Sequence, residues 1–339
     1  MDYVPPQQLV AEMLATAKNK AALPVRDLMI RGILAGGILG YATSLVMVVL
    51  AQGVPPIVGA MVFPVGFVML ILLGLELATG NFALLPAGLM SREVTFPALL
   101  RNWSWVYVAN LIGSVAYALL FYLAATNFMT SDGGALGELL RQAAQKKTLA
   151  YAALGYKGWM TAVVKGILCN WMVTLGAVLA LASRSTLGKV AAMWLPIMTF
   201  FAHGYEHSIV NMFVIPAGML FQAPVSPGRW WWWNQVPVTL GNILSGALFT
   251  GALLYMTYGR SPRRTHEPPV PVESEAAVGL CCRRSLSPRV ARAFRFRLSP
   301  ARSTLAHSLS PGDRLWQVKD FEDCVFSPWK VVVRAKWRN

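Results

Sequence analysis

Two segments of the chain, GLELATGNFALLPAG at Gly74–Gly88 and GYEHSIVNMFVIPAG at Gly204–Gly218, lie in apolar surroundings and carry the same landmarks 130 residues apart. Gly74, Glu76, Asn81, Pro86, Ala87 and Gly88 match Gly204, Glu206, Asn211, Pro216, Ala217 and Gly218. An ionisable side chain at membrane depth costs roughly 2.5–3.5 kcal/mol on insertion scales, so a glutamate repeated in both segments signals a purpose. The flanks echo each other as well. Arg31-Gly-Ile-Leu is followed by Lys165-Gly-Ile-Leu, and Asn110-Leu-Ile-Gly by Asn242-Ile-Leu-Ser.

Composition sets the solvent. The chain has 339 residues, 55% hydrophobic and only 13% charged, against about 25% charged in a soluble domain. Apolar runs near the ~20 residues needed to cross a hydrocarbon core occur at 28–51, 57–90, 103–126, 159–182, 190–221 and 236–258. The second and fifth are too long for one plain crossing and hold the two matched segments, so they read as broken helices. Each repeat then has an odd number of crossings, three, and the second must be inserted upside down relative to the first, the design of channels and secondary transporters. The expected fold is an all-α membrane protein of six transmembrane helices in two inverted three-helix repeats, with the second and fifth helices broken. Non-helical backbone at that depth is tolerated where protein or a water-lined cavity satisfies it, so the matched segments should face each other across a pathway.

Three regions are expected: an amphipathic N-terminal helix within 1–27, the six-span unit over 28–259, and a tail over 260–339. In the helix at 5–22, Leu9, Val10, Met13, Leu14 and Ala17 share one face. The tail holds 16 Lys/Arg against 7 Asp/Glu, a net of +9 out of the chain's +15, and its Pro- and Ser-rich composition reads as disordered. Basic residues near the spans place both termini in the cytoplasm of a plasma (inner) membrane. Lys18, Lys20, Arg26, Arg31, Arg92, Arg101, Arg184 and Lys189 fall on that side, whereas Arg141, Lys146, Lys147, Lys157 and Arg229 fall in the longer outer loops. Trp230–Trp233 fits an outer interfacial belt. Residues 1–27 show no cleavable apolar region, and Cys169, Cys281, Cys282 and Cys324 form no disulfide framework.

Glu76 and Glu206, present in both repeats, read as scaffold that accepts hydrogen bonds from the interrupted backbone. Asn81, Asn110 and Asn242 read as interhelical hydrogen-bonding groups. His207 is matched by Leu77, so it is an addition to the scaffold, and that asymmetry makes it the functional candidate.

The motifs LATGNF, KGILCNWMV, GYEHSIVNMF and VPVTLGN, in this order over roughly residues 5–258, resemble the formate/nitrite transporter family. The resemblance implies an aquaporin-like six-span protomer in a homopentamer, passing small monovalent anions or their acids through each protomer, with no cofactor, no metal and no nucleic-acid partner. It makes His207 the central histidine, Thr79 the polar residue of the loop breaking the second span, and Asn170 and Asn211 pathway amides. Phe63, Phe67 and Phe200, with Leu77, fall at its apolar constrictions. Where the family often has LFTGN, this chain has Leu77-Ala78-Thr79-Gly80-Asn81, so a bulky ring is missing at Ala78. Formate is the first choice of anion; nitrite, hydrosulfide, lactate and acetate stay open, as does proton co-transport. An apolar constriction favours the neutral acid over its anion, and a histidine can supply the proton. Lys147 is the candidate cation that draws the anion in.

An enzymatic rival exists. His203-Gly-Tyr-Glu-His207 matches H-x-x-E-H, in which two histidines one helical turn apart bind zinc and the glutamate acts as base. It predicts a continuous helix there and a third metal ligand, neither of which the sequence supports. A water or glycerol channel shares the inverted design, but the paired Asn-Pro-Ala boxes are missing.

Overall fold

The computed structural model describes residues 2–259; the basic segment 260–339 lies outside the described residues. All named elements are helical. They begin with α1 (Pro6–Ala22), α2 (Val25–Ala51), α3 (Pro56–Val62), α4 (Pro64–Leu72), α5 (Ala78–Met90) and α6 (Phe96–Ala125). There follow α7 (Gly134–Ala153), α8 (Tyr156–Leu179), α9 (Thr186–Ala202), α10 (Ser208–Leu220), α11 (Pro227–Trp230) and α12 (Val236–Leu244). Wide π-helical turns at Trp231–Gln235, Ser245–Ala252 and Tyr255–Gly259 join α11 and α12 into one long helical run. Among the described residues, four segments are long and apolar enough to cross a membrane: Val25–Ala51, Phe96–Ala125, Tyr156–Ala182 and Pro227–Gly259. Pro56–Leu72, Thr186–Ala202 and Ser208–Leu220 are shorter apolar helices.

The interruptions fall where the matched segments do, and by the same local device. Two residues past the end of α4 stands Gly74 (φ +62°), and two past the end of α9 stands Gly204 (φ +65°). The N–H of Leu75 bonds the carbonyl of Leu70, and that of Tyr205 the carbonyl of Phe200. This is the glycine C-terminal motif, in which a left-handed residue turns the chain out of the helix. Extended backbone then leads to Leu77 (φ −117°, ψ 121°) before α5 and His207 (φ −110°, ψ 119°) before α10.

Close helix crossings fix the frame. A Cβ at Gly113 of α6 would lie 2.0 Å from the Ile33 carbonyl oxygen of α2, and one at Gly241 of α12 would lie 2.2 Å from that of Val163 in α8. Small residues let backbones approach in this way. Helix α1 lays Val10, Met13 and Ala17 inward, where Met13 and Ala17 join Leu84, Leu85 and Ala87 of α5 in one apolar cluster.

Two local expectations need correction. Arg141, Lys146 and Lys147 do not lie in a loop but on the 20-residue helix α7, and Lys157 sits in the first turn of α8. The apolar residues of α7 are too sparse to suggest a span, and its helical face becomes meaningful only once it packs on α10. The tryptophan run is not a uniform belt either: Trp230 is buried and donates to Gln235 Oε1 at 3.2 Å, whereas Trp231 and Trp232 are exposed.

Candidate functional site

Both breaks are satisfied by asparagine. Asn110 accepts from the Ala78 N–H at 2.9 Å and donates to the Gly32 and Glu76 carbonyls at 2.8 and 2.9 Å. Asn242 accepts from the Ser208 N–H at 2.9 Å and donates to the Gly166 and Glu206 carbonyls at 2.8 and 3.1 Å. Each staple ties a broken strand of backbone to a continuous helix. Contrary to the expectation from sequence, the glutamate carboxylates therefore do not serve the interrupted backbone. They meet side chains instead.

Glu76 accepts from Lys20 Nζ at 2.6 Å and Asn81 Nδ2 at 2.8 Å. Glu206 accepts from Lys147 Nζ, Asn211 Nδ2 and Tyr151 Oη, each at 2.8 Å. Asn81 also donates to Asn102 and Asn211 to Asn234. The outer amides Asn102 and Asn234 in turn donate to the carbonyls of Lys20 and Lys147. A buried carboxylate is tolerable only when paired and fully hydrogen-bonded, and each network meets that demand. Lys147, singled out by sequence for its position, thus has a counterpart in Lys20 that the sequence reading missed. The spacing between them is 127 rather than 130 residues, and α1 and α7 otherwise differ.

At the centre the symmetry fails. His207 is buried; its Nδ1 accepts from the Val210 N–H at 3.2 Å and caps α10. A neutral ring with Nδ1 accepting carries its proton on Nε2, and Nε2 lies 3.1 Å from Thr79 Oγ1. Phe200 stacks on the imidazole at 5.8 Å and Phe67 meets it edge-on at 6.1 Å. Phe63 extends the apolar wall through contacts with Phe200 and with Phe201, the latter a residue not singled out from sequence. Leu77, at the equivalent N-cap, makes no side-chain cap.

Asn170 is buried beside this group and donates to the Thr79 and Asn242 carbonyls at 3.1 and 2.7 Å. Its Oδ1 has no protein partner, and neither has Ser208 Oγ or Asn211 Oδ1. Phe63, Phe67, Phe200, Thr79 and His207 therefore come together, Asn170 adjoins them, and Asn211 and Lys147 belong to the glutamate network. His203 does not join His207. It ends α9, is exposed, and bonds the Thr199 carbonyl through Nδ1. The H-x-x-E-H residues thus occupy a helix break, not the single helical turn that the zinc pattern needs, and no cluster suited to a metal ion occurs among the described residues.

Paired broken helices around a capped histidine, held between long apolar helices, define a multi-pass membrane protein of the transporter and channel class. The chain belongs to the formate/nitrite transporter family, whose model matches residues 7–256. It is 35% identical over 259 residues to a probable formate transporter of Methanothermobacter thermautotrophicus, covering 72% of this chain and 93% of that protein. It is 32% identical to the formate channel FocA of Escherichia coli K12, covering 61% and 76% respectively. Among solved structures, an FNT family ion channel aligns with a TM-score of 0.64 at 26% identity, covering 74% of this chain and 98% of the other. A pentameric formate channel with formate bound aligns with a TM-score of 0.58 at 27% identity, covering 70% and 98%.

Proposed function

We propose that each protomer passes small monovalent anions, formate first among them, across the membrane beside His207. The observation that carries this reading is the His207 Nε2–Thr79 Oγ1 contact at 3.1 Å, buried between aromatic rings. An anion entering an apolar constriction loses water, and two adjacent N–H and O–H donors replace part of what it loses. A ring that first takes a proton from solvent at Nδ1, releasing the Val210 N–H, can pass its Nε2 proton to the carboxylate and return to the neutral form. The anion is then neutralised at the point where charge is most costly. Asn170 and the unpartnered Ser208 hydroxyl supply further polar groups beside this point.

The two hydrogen-bond networks, related by offsets near 130 residues, support two inverted three-helix repeats with α3–α5 and α9–α10 as the broken crossings. The pentameric relative supports a homopentamer. The basic residues around α1, α5–α6 and α8–α9 support cytoplasmic termini in a plasma (inner) membrane, with surrounding lipid as the third partner beside anion and proton. The N-terminal helix (1–27), the channel unit (28–259) and the tail (260–339) are taken as separate functional regions. The chain is a transporter and not an enzyme.

The test is uptake of labelled formate into proteoliposomes across a pH series, with nitrite, hydrosulfide, acetate and lactate as competitors. His207→Phe should abolish the pH dependence while the oligomer still assembles. Unchanged pH-dependent formate flux in that variant would remove His207 from the mechanism. Stronger competition by one of the other anions would replace formate as the substrate and leave the histidine intact.

A further inference from the structure

Away from the histidine, the start of α8 and the tryptophan run enclose a cleft of about 370 Å³ lined by Tyr156, Trp159, Trp232 and Trp233. Its size falls in the ~300–1,000 Å³ range of ligand sites. Trp159 and Trp232 face each other with ring centroids 6.5 Å apart. The Trp159 indole N–H is buried without a partner, although indole can only donate and buried donors are rarely left unmet. Two cations border the aromatics. Lys157 lies between Tyr156 and Trp159 in the first turn of α8, and Arg229 precedes Trp232 and Trp233 by three and four residues in the helical run. Both are exposed, and neither side chain makes an ion pair or hydrogen bond among the described residues. From Leu139 to Gly259 the only acidic residue is Glu206, which is buried on Lys147. Glu138 on α7 pairs with Arg141, and no carboxylate among the described residues lies within ion-pairing distance of Lys157 or Arg229.

We propose that this cleft binds the headgroup end of an anionic phospholipid. The aromatic walls hold the glycerol and first methylenes, the Trp159 N–H donates to an ester or phosphate oxygen, and Lys157 and Arg229 take the negative charge. An interfacial aromatic belt alone accepts any lipid; two unpaired cations beside it select for charge. The inference rests on membrane insertion but not on what the chain transports, so it survives if formate is the wrong anion.

Native mass spectrometry of the detergent-solubilised full chain, mixed with equal phosphatidylglycerol and phosphatidylcholine of matched tails, reads this directly. Phosphatidylglycerol should be retained preferentially, by roughly fivefold for each cation. Lys157→Gln with Arg229→Gln, both at exposed positions, should erase that part of the preference without lowering retained phosphatidylcholine. Trp232→Ala should lower retention of both lipids, with the intact oligomer mass confirming assembly. Equal retention of the two lipids by the parent, or a preference undiminished by the double substitution, overturns the proposal. So does lipid retention indifferent to Trp232→Ala, the result expected if a second copy of the chain covers the cleft.

Discussion

His207 uses its two ring nitrogens for different tasks: Nδ1 caps α10 and Nε2 meets Thr79. The cap fixes the ring, and the fixed ring aims the remaining N–H. Thr79→Val keeps the shape of the side chain but removes the hydroxyl, leaving the Nε2–H without its buried partner. We expect a loss of about 1–3 kcal/mol, visible as a lower thermal midpoint in detergent, together with reduced formate uptake. An unchanged midpoint would mean that the histidine finds another acceptor. Ala78, where the family often has a ring, is fully buried and its N–H is held by Asn110. A phenyl ring there meets packed neighbours, among them the core that includes Phe82 and Leu77. Ala78→Phe is therefore expected to cost about 1–3 kcal/mol through overpacking. Comparing formate with lactate uptake in any variant that assembles tests whether the position also sets width: an unchanged ratio excludes it.

At the scale of elements, the two halves differ in how well each buried carboxylate is supported. Glu206 keeps Asn211 and Tyr151 if its lysine is lost, whereas Glu76 keeps only Asn81. Removing one partner of a buried pair costs about 3–5 kcal/mol, and the better-supported carboxylate should lose less. Lys20→Met is thus expected to destabilise more than Lys147→Met in parallel melts; the reverse order would show that α1 contributes little to the fold. The N-terminus is also tied to the α8–α9 turn. Asp2 accepts from the Ser185 and Arg184 N–H groups at 2.6 and 2.7 Å, and Val4 donates to the Ala182 carbonyl at 2.9 Å. The Ser185 N–H, aided by the Ser183 and Ser185 hydroxyls and the Arg184 N–H, holds the Asp2 carboxyl below its ordinary value of 3.8. A lowered folded value means that the clasp is fully present above the unfolded value and is lost as pH falls through the folded one. Hydrogen exchange over residues 2–10, corrected for intrinsic rates, should rise at acid pH below that ordinary value. Protection that stays constant through this range would show that Asp2 does not hold the strap.

For the whole molecule, the family match ends at residue 256, near the last described helical turn. Deleting residues beyond about 262 should leave assembly and anion uptake intact, checked by size exclusion and by flux in proteoliposomes. Loss of assembly would place part of the folding information in the basic tail. The sequence by itself determined the helical class, the two breaks and the candidacy of His207, because these depend on short-range signals: apolar run length, glycine and proline placement, and one mismatch in a repeat. Only the tertiary structure decided what the polar residues bond. Asn110 and Asn242 reach the broken backbone from other helices, Lys20 and Lys147 approach their glutamates from α1 and α7, and Thr79 meets His207 across 128 positions of chain. A buried polar group must find its partner in space, and which of several asparagines or lysines arrives there is set by how the helices cross rather than by any local pattern.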